Sequence, residues 1–209
     1  MNVQQLTERI RRMTGILMDD ILSDDQILQM LNESYVEITG LADWPFLHVE
    51  DNVTVVDGVF QTVPVFRAVQ SVTTGDKRLR ETTLDDIERY EQPDDDPFAY
   101  ARIDSNRYRV WPTPKANIQV TVRGVQTPTP LYDPSDEPVF DREFHVVLAY
   151  AAASRALAEE SDDSGRSQMY MQEAGGILDR MRIRYLTSHD RGVFRMGGKR
   201  TRNLRWRAW

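Results

Sequence analysis

The 209-residue chain is predicted to be an α+β protein: a helical bundle with a β-rich insertion and an extended basic C-terminal arm. Three observations lead there. Apolar residues recur every three or four positions towards both ends of the chain, the recurrence shortens to two in the middle, and the last nineteen residues abandon both patterns for a run of positive charge. The resulting division assigns residues 1–43 and 139–188 to the bundle, 44–138 to the β-rich insertion with its linker, and 189–209 to the arm.

Val3, Leu6, Ile10, Met13 and Leu17 draw one stripe along a first helix, which needs a partner surface. Ser23, with Gln26 three positions on, marks the start of a second helix through Ile27, Leu28, Leu31, Tyr35, Ile38 and Leu41, and Gly40 and Pro45 bracket its end. From Asn52 the period is two. Val53 to Val56 and Val59 to Val63 flank Asp57-Gly58, a pair suited to a tight turn with positive φ, so a hairpin is expected. Strands are further expected at Ala68–Thr73, Tyr100–Ile103, Tyr108–Trp111 and Ile118–Val122, and a short helix at Thr83–Tyr90, with Pro93, Pro97, Pro112 and Pro114 in the loops. Four prolines between Thr127 and Pro138 read as an extended linker.

Asp141 is the expected N-cap of a returning helix through Phe144, Val147, Leu148, Ala151, Ala152, Arg155 and Ala158, whose alanines allow close packing and make it the central helix. After a break at Asp162–Gly165, a last helix carries Met169, Met171, Ile177, Leu178, Met181, Ile183 and Tyr185. Gly175-Gly176 in its middle predicts a kink or a close crossing.

Charge is divided unevenly. Arg191, Arg195, Lys199, Arg200, Arg202, Arg205 and Arg207 are unopposed by any acid in the last nineteen residues, so a body near −14 is joined to a tail near +7. A block of like charge repels itself unless something outside it supplies the opposite sign. Phe194, Trp206 and Trp209 ride along with it, and aromatics are scarce in purely solvating tails, so the segment reads as an arm that docks. The acidic body would be repelled by a phosphate backbone, leaving the arm as the one candidate nucleic-acid contact. A rival reading follows: a nucleic-acid-binding module in which the arm grips phosphates through Arg and stacks bases on Trp206 or Trp209.

Catalytic chemistry finds little support. Without cysteine there is no disulfide framework, thiolate nucleophile or thiolate zinc site, in keeping with a reducing compartment. His48, His145 and His189 lie in separate segments without metal-ligand spacing; His145 suits a packing or capping role, and His48 an aromatic plug with Trp44, Pro45 and Phe46 where the second helix meets the β module. Asp94-Asp95-Asp96 lacks the spacers of a calcium loop and reads as solvated, and Glu159–Asp163 complements the N-terminus of the next helix. No cofactor, metal or enzyme activity is expected. Nor is a signal peptide or membrane span: the N-terminal residues open into a mixed polar helix pattern, as in a soluble protein of intracellular origin.

Ala42-Asp43-Trp44-Pro45-Phe46-Leu47, the strand-turn-strand from Val53 to Pro64, the Tyr108-Arg109-Val110-Trp111-Pro112-Thr113-Pro114 signature and the returning helix Phe144 to Ala153 occur in the order found in tailed-bacteriophage head-to-tail adaptor (connector) proteins. Over residues 1 to 187 the chain resembles that family. The resemblance implies a structural virion protein at the head-tail interface, made in the host cytoplasm. It further implies a homo-oligomeric ring, usually of twelve copies, beneath the portal protein, widening the DNA channel and offering a platform to the downstream tail or nozzle protein. DNA would pass through the lumen without sequence-specific binding, and the arm would have the portal as its partner.

Overall fold

The computed structural model describes residues 1–16, 22–89, 96–160 and 163–190. Leu17, Tyr90, Pro93, Asp94, Asp95, Ser161 and Asp162, which the expectations above include, lie outside them. The fold is mixed α+β: helices α1 (Val3–Thr14), α2 (Asp24–Gly40), α3 (Leu84–Arg89), α4 (Val146–Glu160) and α5 (Ser164–Asp190), with strands β1 (His48–Val55), β2 (Val59–Gln61), β3 (Phe66–Thr74), β4 (Lys77–Thr82), β5 (Ala99–Arg102), β6 (Arg107–Trp111) and β7 (Ile118–Gln126).

Capping boxes start the first two helices. Ser23 Oγ accepts from Gln26 N at 3.2 Å while Gln26 Oε1 accepts from Ser23 N at 2.8 Å. Asn2 and Gln5 exchange the equivalent pair at the start of α1, and Gly15, at φ 74°, closes that helix. The N–H groups that a helix start leaves without an intrahelical partner are met here by the proline-rich segment. Val3 N donates to Asp136 O at 2.9 Å and Gln4 N to Pro134 O at 3.0 Å. Residues 127–138 therefore form part of the wall of the helical layer, where the sequence suggests only a crossing.

Helix α4 packs against α1, α2 and α5. Its Ala149, Ala152, Ala153 and Ala156 are fully buried, and such small side chains let helix axes approach closely. Between α4 and α5, Ser154 Oγ donates to Ser167 O at 2.9 Å and Ser167 Oγ to Ser154 O at 2.8 Å, which satisfies polar groups inside this contact. The core continues through Leu6, Ile10, Leu31, Tyr35, Ile177 and Met181.

The strand order is β1-β7-β3-β4-β5-β6-β2, antiparallel except between β4 and β5. Asp57 and Gly58 turn the chain at φ 51° and 74°, and Val56 and Val59 exchange two hydrogen bonds of 2.9 Å. Beyond that bridge the two arms part: β1 pairs with β7 and β2 with β6. The turn thus links the two ends of the strand order around a second core of Val55, Phe60, Phe66, Val72, Leu79, Tyr100, Tyr108, Val110, Val120 and Val122.

Several expectations are corrected. The hairpin exists as a turn but not as a ladder. Strand β7 runs on to Gln126 through Gly124, where a Cβ would strike Ala68 O and stand 2.8 Å from Phe66 Cδ1; the register of β3 on β7 slips on either side of Ala68. Glycine there permits contact between strands. Strand β4 is unexpected, since Lys77–Thr82 is charged or polar apart from buried Leu79. Asp141 makes no side-chain cap, because a 3-10 turn at Arg142–Phe144 precedes α4. A methyl group added at Gly175 or Gly176 would meet nothing within 4 Å, so α5 makes no close crossing there among the described residues.

Candidate functional site

The Trp44-Pro45-Phe46 segment leaves α2 and enters the sheet through a 3-10 turn at Pro45–Leu47. Proline suits the first position of such a turn because it has no N–H to leave unpaired. Trp44 is 0% exposed, and its Nε1 donates to Ile38 O at 2.9 Å, on the last turn of α2. Its ring stacks on Phe46 at 5.7 Å and 12°, and meets Tyr185 of α5 edge-on at 6.1 Å. Phe46 in turn contacts Tyr185 at 5.0 Å and Phe140 at 5.7 Å. Aromatic pairs in this range add to what burial alone contributes.

Side chains of the helices hold the returning chain beside these rings. Tyr35 Oη accepts from Val139 N and Tyr185 Oη from Asp141 N, each at 3.0 Å. Asn32 pairs with Leu131 as a neighbouring strand would: Nδ2 donates to Leu131 O, and Oδ1 accepts from Leu131 N, both at 2.8 Å. His145 is 1% exposed, and its ring nitrogens lie 2.7 Å from Phe140 O and 2.8 Å from Met1 O. Desolvation raises the Tyr35 phenol above its ordinary pKa, partly countered by the Val139 N–H, and pushes Tyr185 up to about 12.

Arg67 ties the sheet to the helices. From β3 its guanidinium donates to Thr39 O at 3.1 Å, to Ala42 O at 3.2 Å and to Asp43 Oδ1 at 3.0 Å. A cation at the C-terminal end of α2 also complements the negative end of that helix dipole.

The structure thus brings Trp44, Pro45 and Phe46 together with Tyr35, Phe140, Tyr185 and Arg67, which sequence reasoning does not assign to one place. His48, expected beside these rings, is the first residue of β1 and is exposed. Of the arm, Arg191, Phe194, Arg195, Lys199, Arg200, Arg202, Arg205, Trp206, Arg207 and Trp209 lie outside the described residues. Among the described residues, no three acidic or histidine side chains gather where they would hold a metal ion, and no helix is long and apolar enough to cross a membrane.

This junction is a mechanical arrangement: it fixes the sheet on the helices, and among the described residues it presents no nucleophile with an oriented base. Over residues 1–201 the chain matches the family model described as SU10 adaptor protein. No curated protein matches it.

Proposed function

The chain belongs to the SU10 adaptor protein family, and from that membership we propose that it is the ring-forming adaptor between phage head and tail. Phage adaptors are structural components of the head-tail junction, so the part proposed for this chain is assembly, without a catalysed reaction. A ring of these chains, twelve in the family it resembles, sits below the portal, extends the DNA channel and offers the next tail protein a platform. The observation that carries this reading is the family match over nearly the whole chain.

Charge supports it. Residues 1–190 hold 19 Lys and Arg against 33 Asp and Glu, and a wall of that sign contributes few phosphate contacts to DNA moving past it. In this reading the helical bundle (1–43 and 139–188) forms the ring body, the insertion (44–138) faces a neighbouring protein, and the arm (189–209) docks on the portal. Trp206 and Trp209 are its anchors, because Trp seated in a pocket dominates interface energetics while exposed cations contribute little and fade with salt.

Deletion of Arg191–Trp209 tests the docking. The truncated chain should keep its circular dichroism and melting temperature, since the arm does not continue the apolar stripe of α5, and should no longer co-sediment with portal rings. Retained co-sedimentation at unchanged salt sensitivity would remove the arm from the interface. Negative-stain imaging of the purified chain, alone and with the portal ring, tests the ring itself.

A further inference from the structure

We propose that the outward face of α5 packs against the outward face of α2 on a second copy of this chain; the inference rests on the ring reading and assigns its subunit contact. Helix α5 uses one stripe for its own core, with Ala174, Ile177 and Met181 buried. Away from that stripe, Met169, Gly176, Arg180 and Ile183 follow one another at spacings of seven, four and three, so they share a face. Met169 is 48% and Ile183 66% exposed. Among the described residues nothing lies within 4 Å of where a Gly176 side chain would start, so none of them explains a residue that weakens a helix interior.

Helix α2 presents a matching face on another side of α4. Asp25, Gln29, Glu33, Val36 and Gly40, at spacings of four, four, three and four, are all exposed. Val36 is 53% exposed, and Gly40 also has open space around it. Met169 to Ile183 spans about 21 Å of helix and Asp25 to Gly40 about 22 Å, so the two faces match in length.

Charge chooses between occupants. On α5, Ile183 is flanked by Arg180 three residues before and Arg184 one residue after, and neither arginine forms an ion pair among the described residues. On α2, Val36 is flanked by Glu33 and Glu37 at the same two offsets. Those two carboxylates share the single guanidinium of Arg155, at 3.2 and 2.5 Å, which leaves this end of the face negative and holds both acids in place. The acids of α5 nearest this line are Glu173, two turns from Arg180, and Asp179, one turn before Ile183, and the charge of Asp179 is answered by Arg182 at 3.2 Å. A base-apolar-base pattern on one helix thus meets an acid-apolar-acid pattern of equal spacing on the other. Two different faces on one subunit make a heterologous contact, which builds a ring where its rotation closes and an open filament where it does not. The same chain supplies both halves, so a second copy is the occupant the chemistry selects.

The chain has no cysteine, which makes cross-linking specific. In the full-length protein, Val36→Cys combined with Ile183→Cys should give a ladder of linked subunits under mild oxidation, while each single variant gives no linked dimer. Arg180→Glu with Arg184→Glu, at unchanged circular dichroism, should weaken self-association at least about tenfold in sedimentation velocity. Single variants that dimerise, or a double variant that sediments as an assembly without cross-linking, would overturn the α5–α2 contact and leave the ring reading standing. A chain that stays monomeric both alone and on the portal ring overturns the ring reading and the contact together.

Discussion

Tyr35 and Tyr108 are both buried phenols, and they are treated differently. Tyr35 Oη accepts the backbone N–H of Val139, whereas Tyr108 Oη, equally enclosed, has no hydrogen-bond partner among the described residues. The contrast extends to their surroundings. In the helical layer, Asn32, Tyr35, His145 and Tyr185 each hold backbone of the segment that returns from the sheet. In the sheet, backbone pairs with backbone, and Tyr108 contributes its ring, stacked on Phe60 at 5.1 Å and 15°. Helices satisfy their own backbone internally and leave the connecting chain to be held by side chains; a sheet with its ends joined by a turn needs chiefly apolar filling. Where the two halves meet, side chains hold the backbone of the returning segment.

The sharpest way to break that arrangement is at Trp44. Trp44→Ala removes a fully buried ring, its contacts with Phe46 and Tyr185, and the donor to Ile38 O. A loss of about 3–5 kcal/mol is expected, read as a lower urea midpoint. If the helical and sheet halves depend on the junction, both the far-ultraviolet helix signal and tyrosine fluorescence should shift together. An unchanged midpoint would show that this ring stabilises neither half.

Much of the local structure is legible in the sequence because it is set by short-range chemistry. Ser23 with Gln26, and Asp57 with Gly58, announce a helix start and a turn through groups within a few residues of each other. What escapes sequence reasoning depends on distant partners. Strand β4 shows one apolar residue, Leu79, because its neighbours β3 and β5 define it more than its own pattern does. Gly124 looks like a strand end, yet it marks the place where β3 comes too close for any side chain. At the junction, the aromatic-Pro segment stands out by composition, but nothing near Arg67 or Tyr185 in the chain reveals that both reach it. Asp141 misleads because the residue before a 3-10 turn and the N-cap of an α-helix carry the same local signal.

Alkaline titration compares the halves next. Desolvation pushes Tyr100, in the sheet, and Tyr185, on α5, each up to about 12 from an unfolded value of 10, and also raises Tyr35 and Tyr108. Between those values the folded state holds protons that the unfolded state releases. The stability these phenols contribute is therefore complete below pH 10 and lost as pH rises from 10 through about 12. Phenolate absorbance should include a late part that coincides with loss of circular dichroism. Tyr100→Phe and Tyr185→Phe should each reduce the late part. If all phenols titrate together near 10 with the fold intact, burial is not controlling them.

The smallest effects discriminate best between the two kinds of polar group. Tyr35→Phe leaves Val139 N–H without its acceptor in a half-enclosed site, and should cost about 1–2 kcal/mol. Tyr108→Phe removes a hydroxyl that makes no hydrogen bond to the described residues, while keeping the ring on Phe60, and should leave stability unchanged or raise it by up to about 1 kcal/mol. The two substitutions delete the same atom from equally buried rings, so the difference between their urea midpoints measures the hydrogen bond rather than the packing. Equal losses at both positions would mean that the sheet's phenol is held by a polar contact after all, and that the two halves are built alike.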